Sequence, residues 1–175
     1  MLNLNGITVR LGGRTILDRA TAALPSYSRI GLIGRNGAGK STLLRIMAGV
    51  DKEYIGEARP QSDLKIGYLP QEPDLDPNKD VRGNVEDGVR EVKDLLDEFN
   101  AISDRFAEPM SDDEMEKAME KMGRLQDQID AVDGWELDRQ VEVAMDALVL
   151  PEDDQKADTL SGGEARRVAL CKLLL

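Results

Sequence analysis

Histidine is absent from all 175 residues. That absence excludes Ser-His and Cys-His catalysis, zinc sites built on imidazole, and any histidine pH switch. A single cysteine, Cys171, excludes an internal disulfide, fits a reducing compartment, and reads as a small buried helix residue. Aromatics make up only 3% of the chain, so its core must rest on Leu, Ile, Val, Met and Ala. The N-terminal MLNLNGITVRLGG has no apolar h-region of a secretory signal, and no uncharged run approaches the ~20 residues a membrane span needs. These absences predict a cytoplasmic location.

Apolar content of 41% beside 33% charged residues describes a globular chain long enough to bury a core. The net charge of −11 is unevenly placed. Residues 1–70 hold ten Lys/Arg against five Asp/Glu, whereas residues 86–133 hold six against sixteen. The acidity belongs to one middle segment, the mark of an inserted module.

Leu2, Leu4, Ile7, Val9 and Leu11 alternate with polar residues as in a strand, Gly12-Gly13 makes a turn, and Ile16 to Leu24 is a second extended stretch. Arg29 to Ile33 reads as a buried parallel strand and Lys65 to Leu69 as another, with a helix between them from Lys40 to Ala48. The middle then changes period. Val89, Val92, Leu95, Leu96, Phe99, Ile102 and Phe106 form one helical stripe, and Met115, Ala118, Met119, Met122, Leu125, Ile129 and Val132 form another. Pro109 breaks the first, and Ser111 with Glu114 is a capping box opening the second. Two such stripes predict a helical hairpin with arms about 30 Å long. A third helix is expected from Trp135 to Leu150, with Trp135 as a packing anchor.

Residues 34–41, GRNGAGKS, fit the phosphate-binding pattern G-x-x-x-x-G-K-[ST] between an apolar strand and a helix. The glycines let backbone N–H groups turn toward a phosphate, and the helix N-terminus favours an anion. Gly34, Arg35, Asn36, Gly37, Ala38 and Gly39 would form the cradle. Lys40 would supply a mobile cation, Ser41 a hydroxyl for Mg²⁺, and Thr42 a further phosphate contact. Downstream, Leu160, Ser161, Gly162, Gly163 and Glu164 form LSGGE; alone, such a segment reads equally as an ordinary turn capping a helix.

The phosphate loop, Gln71 after a strand, and LSGGE, in this order, resemble the ATP-binding cassette family. The resemblance implies that Gln71 reaches toward Mg²⁺ and the attacking water, and that residues 160–164 contact the γ-phosphate held by a second cassette. About ninety residues separate Gln71 from Ser161. That is more than the compact helical subdomain of ABC transporters, and the surplus is the acidic hairpin. An inserted hairpin there resembles the arm of the ABC-F family, tandem-cassette ATPases that act on ribosomes. LLRIMAGVDKEYIGEARP, KIGYLPQEP and LSGGEARRVALCKLLL carry this likeness over residues 38–175, while residues 1–30 match only generically.

The resemblance implies a definite fold. It is an α/β P-loop NTPase core of ABC type, a β-subdomain plus an incomplete parallel sheet, with an inserted α-helical hairpin arm. Residues 1–84 would form the core, 85–133 the arm, and 134–175 the remaining helical subdomain with the signature. The implied function is an ABC-F translation factor binding ATP and Mg²⁺. Its partners would be the ribosome near the exit site (rRNA, a ribosomal protein, tRNA) and a second cassette normally in the same chain. A transporter nucleotide-binding subunit and a binding-only fragment are the alternatives.

Departures from the family pattern bear on this. Leu11 stands where an aromatic often stacks on adenine, which predicts weaker base contact unless Tyr27 or Arg14 substitutes, and Ala165 replaces an arginine. The acidic arm disfavours a bulk grip on RNA. Its cations Arg90, Lys93, Arg105, Lys117, Lys121 and Arg124 are read equally as RNA contacts or as a solvated face with i,i+4 pairs. The carboxylate pair of the family's catalytic strand is missing from residues 1–175, and no residue replaces the general base. The 175-residue chain is therefore expected to bind nucleotide without turning it over.

Overall fold

The alternating residues at the N-terminus build β1 (Leu2–Leu11), which is central in a three-stranded antiparallel sheet of order β2-β1-β3. The computed structural model describes residues 1–62 and 64–175, and the chain divides into two compact units, Met1–Tyr68 and Leu69–Leu175. In the first unit β1 pairs with β2 (Arg14–Leu24) and β3 (Ile55–Pro60). A register shift between Leu4 and Ile7 absorbs one extra residue, so Leu2, Leu4, Ile7 and Val9 all reach the buried face despite their odd spacing. Helix α1 (Lys40–Met47) lays Ile46 onto Leu4, Ile7 and Val9. Burying each such aliphatic side chain contributes roughly 1.5–3 kcal/mol.

Two expected strands do not form. Residues 29–33 and 65–69 lie outside every ladder among the described residues, and Ile30, Leu32, Ile33 and Ile66 stay exposed. A strand exists only by pairing, and no described segment pairs with either one. The sheet that is present is antiparallel throughout. The chain is thus a mixed α/β protein whose strands gather in the first unit and whose helices dominate the second.

The second unit opens with a helix that periodicity left unnoticed, α2 (Val81–Glu86), whose N-cap Asp80 accepts a hydrogen bond from the Gly83 N–H at 2.7 Å. A 3₁₀ turn (Asp87–Val89) carries it into α3 (Arg90–Arg105), which pairs with α4 (Asp112–Ala131) as the expected hairpin. The capping box is present: the Glu114 carboxylate accepts from the Ser111 N–H at 3.0 Å and from its hydroxyl at 2.8 Å. The third helix, α5 (Leu137–Ala147), is shorter than expected and is preceded by a 3₁₀ turn over Gly134–Glu136. Its end is a Schellman motif, in which the Leu150 N–H donates to Met145 O and the Val149 N–H to Asp146 O, with Val149 at φ 51°.

Val81, Val85 and Val89 share one face and pack with Leu137, Val141 and Met145 of α5 and with Val168 and Cys171 of α6 (Gly162–Leu174). Cys171 is buried as expected, and burial pushes its thiol pKa up. Trp135 anchors the hairpin by an edge contact with Phe99 (centroids 5.0 Å apart), and its indole N–H donates to Asp130 at 2.6 Å. Asn84 is the one buried polar side chain among the described residues. Its Nδ2 donates to the carbonyls of Asp76 and Asp80 while its Oδ1 accepts from the Asp76 N–H, so no polar group is stranded.

Candidate functional site

The sequence-predicted phosphate loop lies in the first unit, leading into α1. Gly39 is the N-cap residue at φ 88°, a left-handed conformation that excludes most side chains. A Cβ there would also lie 2.8 Å from Ile16 Cγ2 and 3.0 Å from Leu17 Cδ2, so space as well as torsion requires glycine. Between Gly34 and Gly39 the chain turns on a hydrogen bond from the Ala38 N–H to Arg35 O at 3.2 Å. The Lys40 ammonium folds back over this turn and donates to Gly34 O and Arg35 O, both at 2.9 Å. Arg35, Asn36, Gly37 and Ser41 are exposed and Thr42 is half-buried.

The start of α1 carries no side-chain cap and no acidic residue in its first turn. Its first N–H groups lie beside Lys40 and the Ser41 and Thr42 hydroxyls and have no capping side chain. Apart from the hydroxyl lone pairs, this set consists of donors and positive charge, which is what a phosphate group requires. The donor chemistry fits a nucleotide phosphate chain. Ser41 offers a neutral oxygen of the kind Mg²⁺ accepts when phosphate and water complete its shell.

Helix α6 presents the opposite arrangement. Ser161 caps it: its hydroxyl accepts from the Glu164 N–H at 3.3 Å, and the Glu164 carboxylate accepts from the Ser161 N–H at 2.8 Å. The bond from the Ser161 hydroxyl, then that from its backbone, holds the Glu164 pKa below the usual carboxylate value. Leu160 is half-buried against the helical core, and Gly162 and Gly163 open the helix with nothing within 4 Å of a Cβ at either.

Gln71 belongs to the second unit together with residues 160–164, whereas residues 34–42 belong to the first. The structure ties Gln71 to the signature helix through a residue that motif reading passed over. Arg166 Nε donates to the Gln71 backbone carbonyl at 2.7 Å. An arginine three places beyond the glycine pair is the only trace of this contact in the sequence.

Leu11 is exposed, and Tyr27 is fully exposed at φ 58°. Tyr27 lines a cavity of about 570 Å³ with Leu2, Leu24, Gln61 and Leu64, and no residue of the phosphate loop joins that lining. Among the described residues, four of the six hairpin cations are engaged in ion pairs: Arg90 with Asp87, Lys93 with Glu86, Lys121 with Glu98 across the hairpin, and Arg124 with Glu120 at 3.8 Å. Among the described residues no helix is long and apolar enough to cross a membrane, and no cluster of three His, Cys, Asp or Glu gathers as a metal site.

A glycine loop on an uncapped helix, followed far along the chain by a capped glycine-pair helix, fits an ATP-binding cassette. The chain belongs to the ABC transporter family, which it matches over residues 17–175. Within that family it resembles the energy-dependent translational throttle protein EttA. It is 55% identical to that of Haemophilus influenzae over 162 residues, 93% of this chain and 29% of the relative. Its identity to the Mycobacterium tuberculosis protein is 51% over 164 residues, 94% of this chain and 29% of the relative. The tylosin resistance ATP-binding protein TlrC of Streptomyces fradiae is 35% identical over 99% of this chain and 32% of its own length. The throttle-protein matches, at 164 and 162 residues, are longer than residues 38–175, so that likeness also reaches into the first thirty residues. The chain spans under a third of the length of these relatives.

Proposed function

We propose that residues 34–42 bind Mg-ATP and that this chain forms the first cassette of an ABC-F translation factor. The observation that carries the nucleotide reading is the uncapped N-terminus of α1 beside the folded-back Lys40 ammonium. The amides of the loop and α1 hold the phosphates, and Lys40 leaves its two carbonyl partners to neutralise their outer oxygens. Ser41 would offer an oxygen to Mg²⁺, and the family resemblance gives Gln71 the same role. When bound, Mg²⁺ disperses phosphate charge and aligns the terminal phosphoryl group. Ser161, Gly162 and Gly163 serve a second nucleotide held by another cassette, with Leu160 and Glu164 setting the start of that helix.

The higher identity to the throttle proteins than to the tylosin resistance protein favours the translational reading. On that reading the hairpin of residues 85–133 is an arm between the core (1–84) and the rest of the helical subdomain (134–175). The complete protein is a cytoplasmic ATP hydrolase that engages rRNA, a ribosomal protein and tRNA near the exit site, with no membrane partner.

Binding of a fluorescent ATP analogue tests the nucleotide site. Lys40→Ala is expected to weaken it at least about tenfold, since it removes a charge-assisted contact that contributes roughly 1.5–3 kcal/mol. Unchanged affinity would refute this assignment. The purified 175-residue chain, which contains no residue assigned as general base, is expected to show no steady-state hydrolysis above background. Co-sedimentation with ribosomes rather than with membrane vesicles tests the partner.

A further inference from the structure

The second unit holds a cleft of about 270 Å³ at the root of the hairpin, between α3 and α5, that the nucleotide reading does not use. Its floor is apolar: Val89, Leu137 and Val141 are almost fully buried beneath it, Leu96 forms one wall, and Trp135 stands half-exposed at another. Its rim is acidic. Glu86, Asp97 and Asp138 line it, with Lys93 as the one cation. Glu86 is already occupied, since it pairs with Lys93 and, at 2.9 Å, with Arg82.

The Asp138 side chain is 92% exposed, and among the described residues its one ion pair is a long contact to Arg82 at 3.6 Å. Asp97 makes no ion pair among the described residues. Two carboxylates are thus left over at the mouth of an apolar slot with an indole in its wall. Their field reaches the Lys93 ammonium, whose pKa is raised, first by its bond to Glu86 and further by Glu86, Asp97 and Asp138 as nearby charges.

We infer that this cleft is a docking site for a basic side chain, best an arginine, presented by a partner protein segment. The aliphatic stem of such a residue fits an apolar floor while its head stays at the wet rim. A guanidinium can lie on an indole and meet carboxylates at the same time, which a lysine ammonium does less well. The same rim repels phosphate, so a basic protein segment fits and an RNA backbone does not. The surrounding segment reinforces this selection, with sixteen acidic residues against six basic over residues 86–133. The inference does not depend on the nucleotide reading, because neither Lys40 nor Ser161 takes part.

Trp135 is the only tryptophan in the chain, so its emission reports the cleft without a label. The 175-residue chain is titrated with a capped hexapeptide of alternating leucine and arginine, with the same peptide carrying glutamate for arginine, and with poly(U). A saturable change is expected with the arginine peptide alone, and about tenfold weaker in Asp97→Asn/Asp138→Asn. Both substituted positions are exposed, so an unaltered thermal unfolding profile will show that the variant is folded. ATP-analogue binding by the same variant is expected to be unchanged, which separates this site from the nucleotide site. No saturable response, an equal response to the glutamate peptide or poly(U), or undiminished affinity in the double variant would each overturn the assignment.

Discussion

Replacing Gly88 by alanine is expected to loosen the attachment of the hairpin to α6. A Cβ at Gly88 would lie 2.3 Å from the Lys172 carbonyl oxygen, 3.1 Å from its carbon and 3.2 Å from its Cα. All three atoms are backbone of α6, so no side-chain rotation relieves the clash. Gly88 is not among the glycines at positive φ, so the substitution acts through space and not through torsion. Overpacking of this kind costs about 1–3 kcal/mol. Separating the two backbones would also stretch the Asp87–Lys172 pair, already 3.6 Å long.

For a chain of this length, ~2 kcal/mol lowers the melting temperature by roughly 4–8 °C. Urea unfolding followed by Trp135 emission measures the effect within the second unit. Gly123→Ala in the middle of α4 is the matched control, because nothing lies within 4 Å of a Cβ there. It should gain about 0.8 kcal/mol from helix propensity alone. A Gly88→Ala chain that unfolds at or above the parent's midpoint, with Gly123→Ala behaving as expected, would refute the close-packing argument.

Two further perturbations test other parts of the second unit. The Asp87 carboxyl, bonded first by Lys79 and then by Arg90 with Lys172 nearby, titrates at about 2 instead of 3.8. A depressed folded-state pKa stabilises above the unfolded value, so this carboxylate contributes about 2 kcal/mol near neutrality. The urea midpoint of the parent should exceed that of Asp87→Asn above about pH 4, and the gap should close as pH falls toward 2. At the end of α5, Val149 occupies the left-handed position of a Schellman motif and is 75% exposed. A β-branched residue there costs roughly 1–2 kcal/mol, so Val149→Gly is expected to raise the melting temperature; a decrease would show that the torsion is not strained.

Helical parts of the fold were legible because their signal is local. The stripes from Val89 to Phe106 and from Met115 to Val132 repeat at helical spacing, and α3 and α4 form there. Helix α2 went unseen because Gly83 and Asn84 interrupt a pattern only six residues long. β3 carries Gly56 and Pro60 and lacks alternation, so only its pairing with β1 reveals it. Residues 29–33 and 65–69 show the converse, since apolar runs predict strands that depend on partners elsewhere. At the candidate site, spacing alone pointed to Gly39 and Lys40, and the contacts of Ile16 and Leu17 explain why the former has no side chain. The bond from Arg166 to Gln71 joins positions 95 residues apart, beyond the reach of any local pattern.

The core of the second unit has a consequence for the order in which the molecule can assemble. Val81, Val85 and Val89 pack in one core with Val168 and Cys171, which lie about eighty residues further along the sequence. The hairpin, by contrast, closes on neighbours in sequence, with Lys121 paired to Glu98 and Trp135 against Phe99. Contacts between nearby residues form early, and those that close long loops form late. As the chain leaves the translation machinery, α3 and α4 can associate while α2 still shows its valines to solvent. The hairpin is complete before it has a base to stand on, and it waits for α6 to secure it.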